Sequence, residues 1–424
     1  MSTRRRVFLV DFACYKPPEN QQLGRRTFLD KSSRSLLYNK DSLDFMDCIL
    51  QRSGLGDKTY VSKGLLKEPP DLSAEAANEE VEMAVFGAID ELLLKTRVQC
   101  EDIGILVCVC CAYNIMPSLS SVIVKRYKLK DDIRTYNVTG MGCSAGLVAL
   151  GLVHNLLKVH DNSCALVVTS ESTAANVYKG NDRSKLLTNC IFRVGAVALL
   201  LSNGPSDQNT SKYELIHTVH SQTANNDRSY NCIFMEEDDE GHRGITINKD
   251  LLYAAMKTIR SNISTVAPLV LPVSETFRYL MNLTLRRFRT KSNAEHCNPD
   301  FSKSIDHFFP HVGGKPVLDE LQKELGFSDE QMEASRMTLY RNGNTSSSSI
   351  WYEVAYAEAK GRVKKGDTLW QIAFGSGFKC SSAIWRAIRS VDRNEMNPWC
   401  DEIHEFPVDV SEIEVFPDLF VASK

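Results

Sequence analysis

The sequence predicts an α/β protein in which two similar halves form a layered fold. Its 424 residues exceed what one small hydrophobic core organises, so several domain-sized units or one duplicated fold are expected. Apolar segments of strand length alternate with helical segments in residues 74–202, and a similar pattern returns in residues 317–374. Such alternation is typical of helices packed on a sheet, and its recurrence favours an internal duplication.

The composition is that of an ordinary globular enzyme. Hydrophobic residues make up 43% and charged residues 24%, and the formal net charge of -3 provides no basic field for a nucleic-acid partner. We find no apolar run long enough for a membrane span, and residues 7–10 are too short for the apolar part of a signal peptide. The 13 cysteines are irregularly spaced, which indicates reduced thiols facing the cytosol.

The first predicted half covers residues 1–205. It begins with a short apolar strand at 7–10, and residues 74–96 carry a helical stripe of apolar residues. The apolar run at 103–111 suits a central strand that is covered on both faces. The remaining predicted elements are a helix at 118–127, a strand at 135–138, a helix at 144–159, and strands at 165–170 and 196–202.

The second predicted half covers residues 311–424. It contains helices at 317–325 and 349–359 and a buried strand at 369–374 that ends at Gly375-Ser376-Gly377. Residues 206–310 are predicted to form a connecting segment with an acidic run at 236–240.

The turn at Gly140-Met141-Gly142-Cys143 is the strongest candidate for chemistry. It links a strand to an apolar helix and places Cys143 at the helix start. Glycines permit the strained backbone of such an elbow, and its N–H groups can stabilise an oxyanion. Because a helix N-terminus favours negative charge, we expect a lowered pKa for the Cys143 thiol. A buried structural cysteine is the alternative interpretation.

Two further residues could complete a site. His311 precedes a Val-Gly-Gly loop, where the backbone can approach another group closely. Asn344 lies in a polar, serine-rich loop just before an apolar helix. Taken alone, His311 is more simply a loop histidine with satisfied hydrogen bonds, and Asn344 a residue near a helix N-cap.

Several long motifs, in the same order, resemble one family. They are residues 7–17 (VFLVDFACYKP), the elbow at 140–146, residues 192–195 (FRVG), residues 336–349 (RMTLYRNGNTSSSS), residues 352–363 and residues 370–380 (WQIAFGSGFKC). Over about residues 7–389 the chain closely resembles the plant 3-ketoacyl-CoA synthases, the acyltransferases that condense very-long-chain acyl-CoA with malonyl-CoA in fatty acid elongation.

The resemblance implies a thiolase-like fold of five layers, αβαβα, usually in a homodimer. It implies a catalytic Cys143, His311 and Asn344, with His217 and His307 as supporting residues. It implies that acyl-CoA and malonyl-CoA are the substrates and that 3-oxoacyl-CoA, CO2 and CoA are the products. It also implies that the reaction uses neither a cofactor nor a metal. Elongase reductases and a dehydratase are the implied partners, at the cytosolic face of the endoplasmic reticulum.

The chain also departs from the family pattern. Family members usually carry two membrane helices before the segment that matches residues 7–17, and this sequence has none, so we expect a peripheral or soluble protein. Thr139 stands where the family has glycine, Tyr340 where histidine is common, and Asn342 where phenylalanine is common. These substitutions bear on rate and chain-length preference and leave Cys143 and the other two central groups in place.

Three alternatives remain open. A type III polyketide synthase-like enzyme shares the Cys-His-Asn site, although the motifs outside the site favour the elongase. A homologue without activity could bind elongase partners only. A papain-like hydrolase also uses Cys, His and Asn, but its Cys-Gly-x-Cys-Trp pattern does not occur in this sequence.

Residues 277–289 predict an amphipathic, cationic helix. Such a helix can lie on an anionic membrane surface or can face the core with a basic, solvated edge. Its apolar stripe consists of Phe277, Leu280, Met281, Leu285 and Phe288. Its basic residues are Arg278, Arg286, Arg287 and Arg289.

We expect the 277–289 segment to bind anionic vesicles. Replacing Arg286, Arg287 and Arg289 by alanine should reduce co-sedimentation of the full chain with such vesicles, because each basic residue near the surface contributes attraction. Neutral vesicles serve as the control, and co-sedimentation that the triple substitution leaves unchanged would contradict the prediction.

Overall fold

The structure, a computed structural model, describes residues 5–278, 281 and 299–410. Its strands are β1 (Phe8–Cys14), β2 (Ile103–Val109), β3 (Arg134–Val138), β4 (Cys164–Ser170), β5 (Ala196–Ser202), β6 (Tyr213–Gln222), β7 (Ile233–Glu237), β8 (Arg243–Ile247), β9 (His307–Pro310), β10 (Thr368–Gly375) and β11 (Lys379–Ala387). Its α-helices are α1 (Arg25–Arg34), α2 (Lys40–Arg52), α3 (Lys63–Leu66), α4 (Ala74–Thr96), α5 (Leu119–Tyr127), α6 (Ala145–Val159), α7 (Arg183–Ile191), α8 (Asp227–Tyr230), α9 (Leu251–Val270), α10 (Lys315–Leu325), α11 (Asp329–Asn342) and α12 (Ser349–Ala359).

Nine strands form one sheet with the order β3-β2-β4-β5-β1-β6-β11-β10-β9. β1 pairs with β5 along most of its length, but it pairs with β6 only through Phe8 and Leu9. The sheet is therefore two half-sheets, of five and four strands, joined by a short ladder. The remaining strands, β7 and β8, form a separate antiparallel hairpin.

Alternate side chains of each half-sheet face different layers. In β2, Ile105 and Val107 join a central core with α6 and α12, whereas Leu106 and Cys108 pack against α4 and α5. In the other half-sheet, β10 contributes to the same central core and also to an outer core with α9 and α10. The result is five layers, αβαβα, and it confirms the predicted duplicated α/β fold.

The central layer explains two very apolar helices. Every residue of α12 is buried, as expected for a helix with sheets on both sides. Among the described residues, one helical stretch, Gly142–Val159, is long and apolar enough to span a membrane, and 56% of it is buried inside the protein. Length and apolarity of this kind are also typical of core helices, and α6 occupies the core.

Most predicted elements are confirmed, and the helices at 74–96 and 349–359 and the strand at 196–202 have the predicted bounds. β1 is longer than predicted, because it continues past the charged Asp11. Within residues 206–310 the structure places β6, α9 and β9, which the sequence analysis did not identify. The division into halves at 205 and 311 stays a prediction, and of the 277–289 segment only 277, 278 and 281 are described.

A buried ion cluster lies where β1 meets β6. Lys212 is fully buried, and its Nζ lies 2.9 Å from Glu358 Oε2, 3.0 Å from Asp11 Oδ1 and 3.3 Å from Glu395 Oε2. Burial alone would lower the pKa of Lys212, but these three carboxylates outweigh it and raise the pKa. The backbone N–H of Lys212 also donates to the carbonyl of Leu9. The cluster therefore ties the two half-sheets together.

We expect Lys212→Met to lower the free energy of unfolding by about 3–5 kcal/mol, because it leaves buried carboxylates without their cation. Urea unfolding followed by circular dichroism measures the change. The control is Lys67→Met, which breaks an exposed ion pair with Asp71 and should leave the midpoint essentially unchanged. Equal midpoints for the two variants would contradict the structural role of Lys212.

Candidate active site

Cys143, His311 and Asn344 line one cavity of about 1230 Å³. Cys143 lies just before α6, His311 follows β9, and Asn344 lies between α11 and α12. Cys143 thus follows the five-stranded half-sheet and His311 the four-stranded one, and the backbone of Asn344 pairs with that of Phe192. The structure thus brings the three predicted site residues together at the interface between the half-sheets.

The elbow before α6 depends on close backbone contact with the β10–β11 hairpin. Gly140 and Gly142 have positive φ angles of 67° and 61°. A Cβ on Gly142 would lie 2.7 Å from the backbone nitrogen of Ser376, and one on Gly375 would lie 2.9 Å from that of Cys143. Side chains at these two glycines are therefore excluded, and the hairpin loop packs directly on the backbone of Cys143.

Asn344 is fixed by its backbone and by its side chain. Its N–H donates to the Ile191 carbonyl (3.1 Å), and its carbonyl accepts from the Arg193 N–H (2.9 Å). Its side-chain Oδ1 accepts from the Ser346 N–H at 2.8 Å. The amide nitrogen is the donor of this side chain, and the Asn344 side chain hydrogen bonds with Cys143.

His311 is buried, with 1% of its surface exposed. Its ring makes an edge-to-face contact with Phe374, at a centroid distance of 5.6 Å. Among the described residues, neither ring nitrogen has a hydrogen-bond partner. Burial lowers the pKa of His311 to about 3, so the ring is neutral and offers one donor and one acceptor. Both ring nitrogens are therefore left to a bound molecule or a water.

The predicted lowering of the Cys143 pKa is wrong. Burial raises the pKa of the Cys143 thiol to about 11, although hydrogen bonds from the Ser346 hydroxyl and the Asn344 amide act in the opposite direction. The nearby Glu171 carboxylate adds to the increase. Desolvation of the thiolate thus outweighs the start of α6. At neutral pH the site therefore contains a protonated thiol and a neutral imidazole.

Three residues near Cys143 were missed in the sequence analysis. The Ser346 hydroxyl lies 3.7 Å from the Cys143 sulfur, and the Cys111 thiol donates to the Gly142 carbonyl at 3.2 Å. Glu171 accepts from the N–H groups of Cys111 (2.9 Å), Ala112 (3.0 Å) and Tyr113 (3.1 Å). A carboxylate directly after the apolar strand at 165–170 was the sequence signal for Glu171.

The two histidines predicted as supporting residues lie elsewhere. His217 is in β6, opposite Ile384, and His307 Nε2 lies 2.8 Å from Asp367 Oδ2. Neither belongs to the lining of the cavity as the described residues define it, and their supporting role stays a prediction. Within the same described part of the chain, no group of three or more His, Cys, Asp or Glu side chains could hold a metal ion.

Comparisons with known proteins agree on one family. The family described as FAE1/Type III polyketide synthase-like protein matches residues 1–288, and the 3-Oxoacyl-[acyl-carrier-protein (ACP)] synthase III C terminal family matches residues 301–387. Arabidopsis thaliana 3-ketoacyl-CoA synthase 2 is 50% identical, over 96% of this chain and 78% of the relative. Arabidopsis thaliana 3-ketoacyl-CoA synthase 11 is 49% identical, over 97% and 81%.

Solved structures show the same fold. The C-terminal type III polyketide synthase domain of Steely1 from Dictyostelium superposes with a TM-score of 0.71 at 18% identity, over 90% of this chain and 99% of that domain. CsyB complexed with CoA-SH gives a TM-score of 0.69 at 21% identity, over 90% and 100%. These neighbours confirm the thiolase-like arrangement predicted from the sequence.

The raised pKa of Cys143 predicts how its reactivity depends on pH. Because the thiolate forms only as pH approaches about 11, alkylation of Cys143 by iodoacetamide should keep rising above about pH 9, where a free cysteine thiol levels off. Peptide mass spectrometry at several pH values measures the labelling rate, with N-acetylcysteine as reference and Cys143→Ser to identify the peptide. A plateau near neutral pH would contradict the dominance of burial.

Proposed function

The chain belongs to the family of the 3-ketoacyl-CoA synthases, and we propose from this that Cys143, His311 and Asn344 catalyse its condensation reaction. An enzyme of this family is an acyltransferase that joins a long-chain or very-long-chain acyl-CoA to malonyl-CoA, which is the first step of fatty acid elongation. The observation that carries the assignment of residues is the single cavity into which all three side chains are brought.

The first half-reaction loads the acyl chain onto Cys143. The thiol proton moves to a ring nitrogen of neutral His311 while the sulfur attacks the carbonyl carbon of the acyl-CoA thioester. Backbone N–H groups of the elbow stabilise the tetrahedral oxyanion. The bond to the CoA sulfur then breaks, CoA leaves as a thiol with the proton from His311, and an acyl-Cys143 thioester remains.

The second half-reaction forms the new carbon–carbon bond. The bond between the malonyl carboxylate and C2 breaks, CO2 leaves, and the electron pair gives an enolate of acetyl-CoA. Hydrogen bonds from the His311 ring N–H and the Asn344 amide stabilise the enolate oxygen. C2 attacks acyl-Cys143, the sulfur leaves as a thiolate that takes a proton from solvent, and the product is 3-oxoacyl-CoA. Because loss of CO2 drives the step, the proposal requires no metal and no nicotinamide.

The cavity suits a long acyl chain. Its volume of about 1230 Å³ exceeds the roughly 300–1,000 Å³ of ordinary small-molecule sites. Apolar side chains of the β7–β8 hairpin line one part of it, namely Ile233, Phe234, Ile245 and Ile247. We propose that the acyl chain occupies this part, where its burial is favourable.

The family's organisation supports three further proposals. The chain is proposed to act as a homodimer, with elongase reductases and a dehydratase that process its product. Since those steps use a membrane-partitioned acyl chain, we place the enzyme at the cytosolic face of the endoplasmic reticulum.

The assignment is tested by assaying the purified chain with palmitoyl-, stearoyl- and eicosanoyl-CoA together with malonyl-CoA. We expect 3-oxoacyl-CoA by mass spectrometry, and neither product nor acyl adduct with Cys143→Ser. Asn344→Ala should still form the acyl adduct but condense about 10²–10³-fold more slowly, because it lacks one donor to the enolate. Asn394→Ala, which changes an exposed turn, is the matched control.

Three outcomes would contradict the proposal. Products of several successive condensations would favour the type III polyketide synthase-like reaction. The lack of any acyl adduct on Cys143 would favour a homologue that only binds elongase partners. Equal loss of adduct formation and condensation with Asn344→Ala would remove the enolate role of that amide.

A further inference from the structure

Arg193 is a buried cation whose side chain is only partly hydrogen bonded. The residue is 2% exposed. Its Nε donates to Thr59 Oγ1 at 2.9 Å, and its Nη1 donates to the carbonyls of Cys190 and Phe192, each at 2.8 Å. Its Nη2 is buried and has no hydrogen-bond partner among the described residues. Two of the five donor hydrogens therefore remain available.

Arg193 also differs from other buried cations in its charge environment. Lys212 contacts three carboxylates, and Arg341 lies 2.9 Å from Glu402. No carboxylate of the described residues forms an ion pair with Arg193. Burial lowers the pKa of Arg193 to about 10, so the guanidinium is still charged at neutral pH. A buried charge without a counter-ion is costly, and an anion that binds beside it offsets that cost.

The position of Arg193 links it to the reaction. It lies in the wall of the cavity that contains Cys143, and its backbone N–H holds the Asn344 carbonyl. A Cβ on Gly343 would lie 2.4 Å from Arg193 Cγ, so the arginine side chain packs directly over the residue before Asn344. The arginine with the unpaired Nη2 therefore contacts the same short stretch of backbone as the amide that is proposed to stabilise the enolate.

We propose that Arg193 binds the carboxylate of the malonyl group through Nη2. The inference rests on the proposed function, in which malonyl-CoA enters the cavity after Cys143 has been acylated. Near the reacting carbon, malonyl-CoA carries a carboxylate and the acyl-CoA does not, since the phosphates of both lie at the far end of the pantetheine arm. Hydrogen bonds between arginine and carboxylate are charge-assisted and therefore strong. Once CO2 has left, Nη2 is free for the next malonyl group.

The test separates loading from condensation. Arg193→Gln should acylate Cys143 with stearoyl-CoA at the rate of the unchanged protein. Its KM for malonyl-CoA should rise roughly 10- to 100-fold, equivalent to about 1.4–2.8 kcal/mol for the lost charge-assisted bond. Arg193→Lys keeps the charge, so its KM for malonyl-CoA should lie between that of the unchanged protein and that of Arg193→Gln. The matched control is Arg260→Gln, which removes a guanidinium on α9 that pairs with Glu324 outside the cavity wall.

A second measurement uses the unchanged protein and does not depend on the folding of any variant. Free malonate should inhibit condensation competitively against malonyl-CoA, and uncharged dimethyl malonate should not. An unchanged KM for malonyl-CoA in Arg193→Gln, or lack of inhibition by malonate, would overturn the inference while normal acylation keeps the proposed function intact. If the unchanged protein forms no acyl adduct, the proposed function itself fails.

Discussion

The backbone contact between Gly142 and Gly375 is the constraint on which the site depends. Each glycine lies where a Cβ would come within 3.0 Å of the other segment, so the elbow before α6 and the β10–β11 hairpin meet without intervening side chains. The elbow carries Cys143, and β10 is the neighbour of β9, which leads into His311. This contact therefore brings Cys143 and His311, from the two half-sheets, into the wall of one cavity. The ion cluster around Lys212 joins the same two half-sheets at a different place.

Burial rather than local charge sets the resting state of the site. It raises the pKa of Cys143 to about 11 and lowers that of His311 to about 3, so between these values both groups are uncharged. A neutral ring keeps one N–H to donate, which suits the role proposed for His311 at the enolate, whereas both shifts oppose proton transfer from thiol to imidazole, so in the proposed reaction that transfer has to accompany the attack of sulfur on the thioester. The same low dielectric strengthens the hydrogen bonds that Asn344 and His311 can make to a developing enolate.

The sequence predicts those features that depend on local pattern. The helical stripe of α4, the apolar strand β5 and the glycine elbow each follow from neighbouring residues, and the structure has them where they were expected. β6 was missed because its polar and apolar residues do not alternate cleanly, and β1 was shortened because Asp11 lies inside it. The charge of Asp11 is accommodated by Lys212, about two hundred residues away, and no local pattern reports such a partner. The prediction of a lowered pKa for Cys143 was wrong for a similar reason, because the burial of this thiol comes from packing between distant segments.

Unpaired buried polar atoms in the cavity wall connect the stability of the chain to its proposed function. The His311 ring nitrogens and Arg193 Nη2 are buried and lack partners among the described residues. Each such atom costs about 1–3 kcal/mol in a folded protein. Both residues lie in the wall of the same cavity. A substrate with a thioester oxygen and a carboxylate would satisfy both, so it would stabilise the folded chain as it binds. In the proposed reaction these unpaired atoms would serve the charged malonyl group, and the apolar part of the cavity wall would serve the acyl chain.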